Sequence, residues 1–300
     1  MGKWMKLAFS LWLCSLVAGG TVAAQKQAAD AFGKYLIELL ARMKSNFGAN
    51  GKLTQQYTSD EFWHNRNFDK NGKVTLDETA KYENVFVGGL PYRHKVEANG
   101  KPLSGKEAEA EENRYEKAVK ERRGMSLEEK RRGLHYSFHS SLPMCCLTTL
   151  FENRIVKSET INGRDTVVVE SVPKAGVKPS SEEEKSALNW KETTWIDAQD
   201  AMMARLEVES LTDRGRFAKG ITARIDFERR VDAPASEGRP EQAVWLQRDS
   251  IGHARFKILW IDVADTTEDT WSNFKKFHVD MRLLDDSIHP LPDKGNSQQY

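Results

Sequence analysis

The sequence predicts a mainly β protein of the α+β class, in which a curled antiparallel sheet forms an incomplete barrel. Three observations predict it. Apolar and polar residues alternate with a period of two in many short segments, most clearly in 202–211, where Ala204, Leu206 and Val208 share one face. Glycine, proline, serine and aspartate separate these segments. Helical periodicity is confined to a few stretches, so a long run of strands has to curl to bury its apolar faces.

The first residues have the features of a secretory signal. Lys3 and Lys6 precede an apolar run at 7–18, and small residues follow up to Ala24. We expect cleavage after Ala24 and export to the periplasm, with full secretion as the alternative. The apolar run is shorter than the roughly 20 residues that a spanning helix needs, so no membrane span is predicted in the mature protein.

An amphipathic helix is predicted at 29–47, with Gly48 as its stop signal. Its apolar residues recur at intervals of three and four, which indicates packing against the sheet. They are Phe32, Leu36, Leu39, Leu40, Met43 and Phe47.

Three strands should follow this helix, at 52–68, 73–87 and 91–97. The first two flank Asn71-Gly72, a pair that predicts a tight type I′ turn with positive φ at both residues.

A charged helical insertion is predicted at about 104–132. Ser104 with Glu107, and Ser126 with Glu129, match the capping box, so 104–123 and 127–132 should be helices. The first has a thin apolar stripe, and its many charges predict a solvated face.

Most of the remaining chain is predicted to be strand, with a disordered tail at 287–300. The predicted strands are 147–161, 166–172, 191–197, 202–211, 219–231, 243–248, 255–263 and 274–284. Together with the preceding elements they predict a single domain over 25–286.

Composition and motifs exclude several classes of function. The chain has 45 basic and 44 acidic residues, which gives no electrostatic basis for binding nucleic acid. No nucleophile elbow, phosphate-binding loop or dinucleotide fingerprint is present, so we predict that the protein is not an enzyme and needs no cofactor.

His135 and His139 lack the glutamate and helical context of a zinc motif, and no metal site is predicted. The adjacent Cys145 and Cys146 lack the spacer of a redox pair, and their redox state stays undetermined.

A local pattern resembles a known family. Thr194-Trp195-Ile196-Asp197, followed by Met203-Ala204-Arg205-Leu206-Glu207, is similar to the strand pair around a Trp-Ile-Asp turn in periplasmic outer-membrane lipoprotein carriers of the Lol type and their lipoprotein-sorting relatives. The segments 159–169 and 173–176, and 69–92 with its Val87-Gly88-Gly89-Leu90-Pro91-Tyr92 run, also resemble uncharacterised relatives of this type. The resemblance implies an N-terminal helix, a long curled sheet, helices closing its mouth and a role in outer-membrane biogenesis.

Two functions are compatible with these patterns. The first is a non-enzymatic periplasmic protein that binds an acyl chain, a lipid or a lipoprotein on the concave face of the sheet, lined by Leu206, Val208, Ile225 and Phe227. A dry, self-filled core would use the same four residues. The second is an envelope protein-interaction module that contacts a partner through the charged 104–132 segment. The sequence leaves the ligand, the partner and the oligomeric state open.

Overall fold

The computed structural model describes residues 22–130, 146–213, 218–233, 242–258 and 261–276. Eleven strands form one sheet in the order β4-β3-β2-β1-β11-β10-β9-β8-β7-β6-β5, and every neighbouring pair is antiparallel. The sheet is curled but not closed, because β4 and β5 are its two edges, and the predicted fold class is confirmed. The strands are β1 Tyr57–Phe68, β2 Val74–Val87, β3 Leu90–Ala98, β4 Lys101–Pro102, β5 Phe151–Ile161, β6 Arg164–Pro173, β7 Trp190–Asp197, β8 Met203–Ser210, β9 Thr222–Ala233, β10 Gln242–Ile258 and β11 Ile261–Lys276.

Four helices accompany the sheet in the described ranges, besides a helical turn at 127–130. They are α1 Val22–Thr54, α2 Gly105–Arg123, α3 Leu147–Leu150 and α4 Glu182–Ala187. The second predicted capping box is confirmed, since the Glu129 carboxylate accepts from the Ser126 N–H at 2.7 Å. Ser104 precedes α2 as predicted but makes no side-chain cap. Residues 1–21 of the predicted signal sequence 1–24, and the predicted tail at 287–300, lie outside the described residues, and 22–24 form the start of α1.

Helix α1 continues past Gly48, where the sequence predicted its end. Tertiary contacts stabilise the additional turns. The buried Asn50 side chain donates to the Trp245 carbonyl oxygen at 2.7 Å and accepts from the Trp245 N–H at 2.8 Å. These two bonds to the sheet outweigh the low helix propensity of Gly48 and Gly51. As a consequence, β1 begins five residues later than predicted.

The main core lies between α1 and one face of the sheet, which we call the inner face. Helix α1 contributes the buried side chains Leu36, Leu39, Leu40 and Met43, with the spacing of an amphipathic stripe. The sheet contributes buried residues of β6, β7 and β8. These are Val167, Val169, Ile196, Met203 and Leu206.

The register shows which other residues share the inner face, because directly opposite residues on neighbouring strands point the same way. Leu206 pairs with Ile225, Ile225 with Ser250, Ser250 with Asp269, and Asp269 with Trp63. This row runs from β8 to β1. It is apolar at Leu206 and Ile225 on β8 and β9, and polar at Ser250 and Asp269 on β10 and β11.

Helix α2 packs on the opposite, outer face at the other end of the sheet. Tyr92 of β3 lies edge-on to Tyr115 of α2, with ring centroids 5.4 Å apart, and its hydroxyl donates to Glu111 at 3.1 Å. The neighbouring Arg93 points to the inner face, where it pairs with Glu61. The two long helices therefore cover different faces.

Two of the three turns that contain Asn-Gly have the positive φ values of a type I′ turn. Asn99-Gly100 and Asn162-Gly163 have positive φ at both residues and join strands through two-residue loops. At Asn71-Gly72 the type I′ prediction is wrong, because only Gly72 has positive φ. There the Asp69 carboxylate accepts from the Asn71 and Lys73 N–H groups at 2.8 and 2.9 Å, which stabilises a longer loop.

The predictions were least accurate at β10, β11 and the start of β5. Strands predicted at 243–248 and 255–263 are parts of the β10–β11 hairpin, and 264–273 is strand although no strand was predicted there. That segment is polar on both faces, and polar partners hold it. Thr267 donates to Asn65 at 3.1 Å, and Arg66 pairs with Glu268 at 2.5 Å. Residues 147–150, predicted as strand, are helical.

Candidate functional site

The four residues predicted to line a ligand site lie together on the inner face. Leu206 is directly opposite Ile225, and Val208 follows Leu206 by two residues on β8. Phe227 follows Ile225 by two residues on β9 and packs against the main core. They form a continuous apolar strip, which we call the β8–β9 strip.

Burial along the β8–β9 strip is graded. Leu206 is fully covered, with 1% of its surface exposed, whereas Val208, Ile225 and Phe227 are half-buried. Helix α1 covers one end of the strip through Phe47, whose ring is edge-on to the Phe227 ring at a centroid distance of 6.2 Å. The strip therefore connects the dry core to the surface without an intervening polar residue.

The turn between β7 and β8 fixes the register of the strip. Asp197 Oδ1 accepts from the Gln199 and Asp200 N–H groups at 3.0 and 2.7 Å, as expected for a turn-forming aspartate. Arg164 of β6 donates to both oxygens of the Asp197 carboxylate, at 2.5 and 2.8 Å. This bidentate pair stabilises the turn, so Asp197 has a structural role.

Polar bonds hold α1 on the sheet near its C-terminal end. Besides the Asn50 bonds to Trp245, Asn46 donates to the Asp200 carbonyl oxygen at 2.8 Å. The Asp200 carboxylate in turn accepts from Arg229 at 2.7 Å and from the Trp245 indole at 3.1 Å. Nearer its middle, α1 packs Leu36, Leu39, Leu40 and Met43 into the apolar main core. Helix α1 is thus fixed at one end by hydrogen bonds and seated along its middle by apolar packing.

Glu192 is a buried carboxyl group beside the strip. It lies on β7 directly opposite Val208 on one side and Ser171 on the other, and 1% of its surface is exposed. Its Oε1 atom is buried without a hydrogen-bond partner in the described structure. Burial raises the pKa of Glu192 to about 8, which keeps the carboxyl protonated at neutral pH.

A second carboxyl group is perturbed at the polar end of the inner face. Glu61, 3% exposed, accepts from Arg93 and from the Asn84 amide, and Asp269 accepts from Ser250 at 3.1 Å. Burial and the hydrogen bond with Glu61 raise the pKa of Asp269 to about 7. The Asp269 carboxyl is therefore protonated below neutral pH, and Arg93, which lies within ion-pair distance of both Glu61 and Asp269, provides a balancing positive charge. No sequence pattern predicts this cluster, because Glu61 and Asp269 are far apart along the chain.

A surface groove of about 440 Å³ lies between α2 and β3. Its walls include Lys117 and Arg122 of α2, and the Arg122 guanidinium donates to the carbonyl oxygens of Leu90 and Pro91 at 2.9 and 3.0 Å. One wall of this groove is formed by the insertion that the sequence predicts as a candidate contact surface.

The sequence also singled out two cysteines and two histidines as candidates for redox or metal chemistry. Cys146 is buried, whereas His135, His139 and Cys145 lie outside the described residues. Across the described ranges no three histidine, cysteine, aspartate or glutamate side chains are grouped so that they could hold a metal ion. Within the same ranges no helix has the length and apolar character needed to cross a membrane.

Comparison with known proteins gives distant structural similarity. No protein-family model and no curated protein matches the chain. Solved structures do match, and three of them have 11–12% identity to this chain. A DUF1329 family protein from Desulfovibrio piger has 12% identity and a TM-score of 0.30, with 84% of this chain and 96% of that chain covered. A domain described as an outer-membrane lipoprotein-sorting protein, from Vibrio parahaemolyticus, has 11% identity and a TM-score of 0.30, with 75% and 89% covered.

A LolA superfamily protein from Nitrosomonas europaea has 11% identity and a TM-score of 0.26, with 83% and 96% covered. The solved structures to which this chain is similar thus include a lipoprotein-sorting domain and a LolA superfamily protein.

Proposed function

We propose that the protein is a non-enzymatic, exported binding protein that takes up an acyl chain on the β8–β9 strip. The graded burial of the strip supports this proposal. Three of its four apolar side chains keep accessible surface, although they are continuous with the core under α1. An acyl chain that covered this surface would be desolvated along its length. The predicted signal sequence accounts for export to the periplasm, where such a protein would meet lipids or lipoproteins.

For a longer chain to bind, part of α1 would have to leave the strip. Leu36, Leu39, Leu40 and Met43 together contribute about 6–12 kcal/mol at about 1.5–3 kcal/mol for each buried side chain. An acyl chain of about 12–16 methylenes contributes about 10–13 kcal/mol at about 0.8 kcal/mol per buried methylene. Because the two contributions are comparable, a chain could replace α1 while the bonds of Asn46 and Asn50 keep the helix attached.

Binding of a fluorescent fatty acid to the full chain tests the proposal. We expect micromolar binding, and we expect Ile225→Asp to weaken it at least tenfold by placing a charge on the strip. Val156→Asp is the matched control, since Val156 is an exposed apolar residue of the edge strand β5. If several classes of lipid fail to bind at micromolar concentration, or if both variants bind equally well, the β8–β9 strip is not a ligand site.

A second candidate function is supported by the groove at α2. In this case the core stays filled, as it is at Leu206 and Met43, and the charged 104–132 segment contacts a protein partner in the envelope. Deletion of 105–123 should then abolish capture of the partner and retain the β-sheet circular dichroism signal. Retained capture would exclude this function.

A further inference from the structure

Glu192 is an exception to the rule that buried polar groups find hydrogen-bond partners. Its carboxyl is surrounded by the inner-face core, and Oε1 has no donor within the described structure. Burial is the sole cause of its raised pKa, so the carboxyl has no ion-pair partner in the described ranges. The nearest polar group in register, Ser171, donates instead to Asn153 at 2.7 Å. Glu192 is therefore a neutral acid with unused hydrogen-bonding capacity.

This position is adjacent to the proposed ligand site. Glu192 and Val208 are direct cross-strand partners on the inner face, so their side chains are neighbours. At the other end of the strip, Ser250 and Asp269 already bond each other. Of these polar groups that flank the strip, Glu192 is the one that lacks a partner.

We propose that Glu192 is the polar subsite of the acyl-chain site and that it selects amphiphiles carrying an N–H group at the end of the chain, as in an amide. This inference rests on the proposed acyl-chain function. A neutral carboxyl offers both an acceptor, Oε1, and a hydroxyl donor, and a secondary amide presents the complementary N–H and C=O. An ester of the same shape lacks the donor and leaves Oε1 unpartnered.

The test compares N-dodecylacetamide with dodecyl acetate, two neutral ligands of nearly equal length, as competitors of a bound fluorescent fatty acid. We expect the amide to bind about tenfold more tightly than the ester, which is the upper end of the usual range for one net hydrogen bond. Glu192→Leu should remove this preference and retain binding of the ester, because the apolar strip is unchanged. Glu209→Leu is the control, since Glu209 is exposed on the outer face of β8.

The possible outcomes separate this inference from the proposed function. Equal affinity for amide and ester in the wild type overturns the subsite and leaves the acyl-chain function intact. The same conclusion follows if Glu192→Leu keeps the tenfold preference. Failure of both ligands and the fluorescent fatty acid to bind overturns the function and the subsite together. A preference that Glu192→Leu removes and Glu209→Leu retains supports the subsite.

Discussion

Replacement of Glu192 by glutamine should stabilise the protein increasingly as the pH rises. The folded protein holds the Glu192 proton, because burial raises the pKa of this group from 4.5 to about 8. The unfolded chain releases that proton near its ordinary pKa of 4.5. Between these two values the folded state binds more protons than the unfolded state, so the free energy of unfolding falls as the pH rises.

The raised pKa sets the size of the effect. At about 1.36 kcal/mol per pKa unit, the rise from 4.5 to about 8 corresponds to a ceiling of about 5 kcal/mol lost between pH 4.5 and pH 8. Glutamine is nearly isosteric with the protonated acid but does not titrate. Glu192→Gln should therefore equal the wild type within about 1 kcal/mol near pH 4.5 and exceed it by several kcal/mol at pH 8.

Urea unfolding at pH 5, 6.5 and 8, followed by tryptophan fluorescence, measures this difference. Other titrating groups are common to both proteins, so they cancel in the comparison. The exposed Glu209→Gln variant on β8 should differ from the wild type by less than about 0.5 kcal/mol at every pH. A stability difference for Glu192→Gln that stays constant from pH 5 to pH 8 would refute the assignment of a buried, protonated Glu192.

Two further predictions concern the contacts that flank the site. Asp269→Asn should gain stability over the wild type as the pH rises toward 7, because the raised pKa of Asp269, about 7, means that the wild type loses stability as this buried carboxyl ionises. Urea unfolding at pH 5 and pH 8 measures the difference, and no increase would argue against a buried, protonated Asp269. Asn50→Ala should lower the free energy of unfolding by about 2–4 kcal/mol, because it leaves the buried backbone N–H and C=O of Trp245 without their bonds to the Asn50 side chain. Thermal unfolding measures this loss, with the exposed Lys52→Ala as the control. Equal unfolding temperatures for the two variants would contradict the anchoring of α1.

Elements whose apolar residues pack into the core under α1 were predicted accurately from the sequence. Strands β7 and β8 were predicted to within one residue, because Ile196, Leu206 and Val208 alternate cleanly above a core. The middle of β11, 264–273, was missed because polar pairs such as Thr267 with Asn65 stabilise it, and these partners are distant in sequence. The same limit applies to the end of α1, which depends on Trp245.

The four strip residues were predicted from alternation alone, and the structure brings them together, whereas Glu192 was overlooked. A signal for it was present. The period of two on β7 places Glu192 on the same face as Thr194 and Ile196, so a carboxyl occupies a position that faces the core. Alternation could not show whether a partner satisfies that carboxyl, because this depends on groups that other strands and helices bring together.

The polar residues that bound the apolar part of the inner face also limit the length of the ligand that the β8–β9 strip could hold. The inner face is apolar under α1 and becomes polar at Ser250 of β10, while Glu192 of β7 bounds the strip on the other side. Three strand spacings separate β7 from β10, which is about 14–15 Å at about 4.8 Å per spacing. A ligand chain lying across the strands would therefore be about 14–15 Å long, with its polar end at Glu192. A longer chain would have to run along β8 and displace α1 from Leu206, so affinity should stop rising with chain length where that displacement begins.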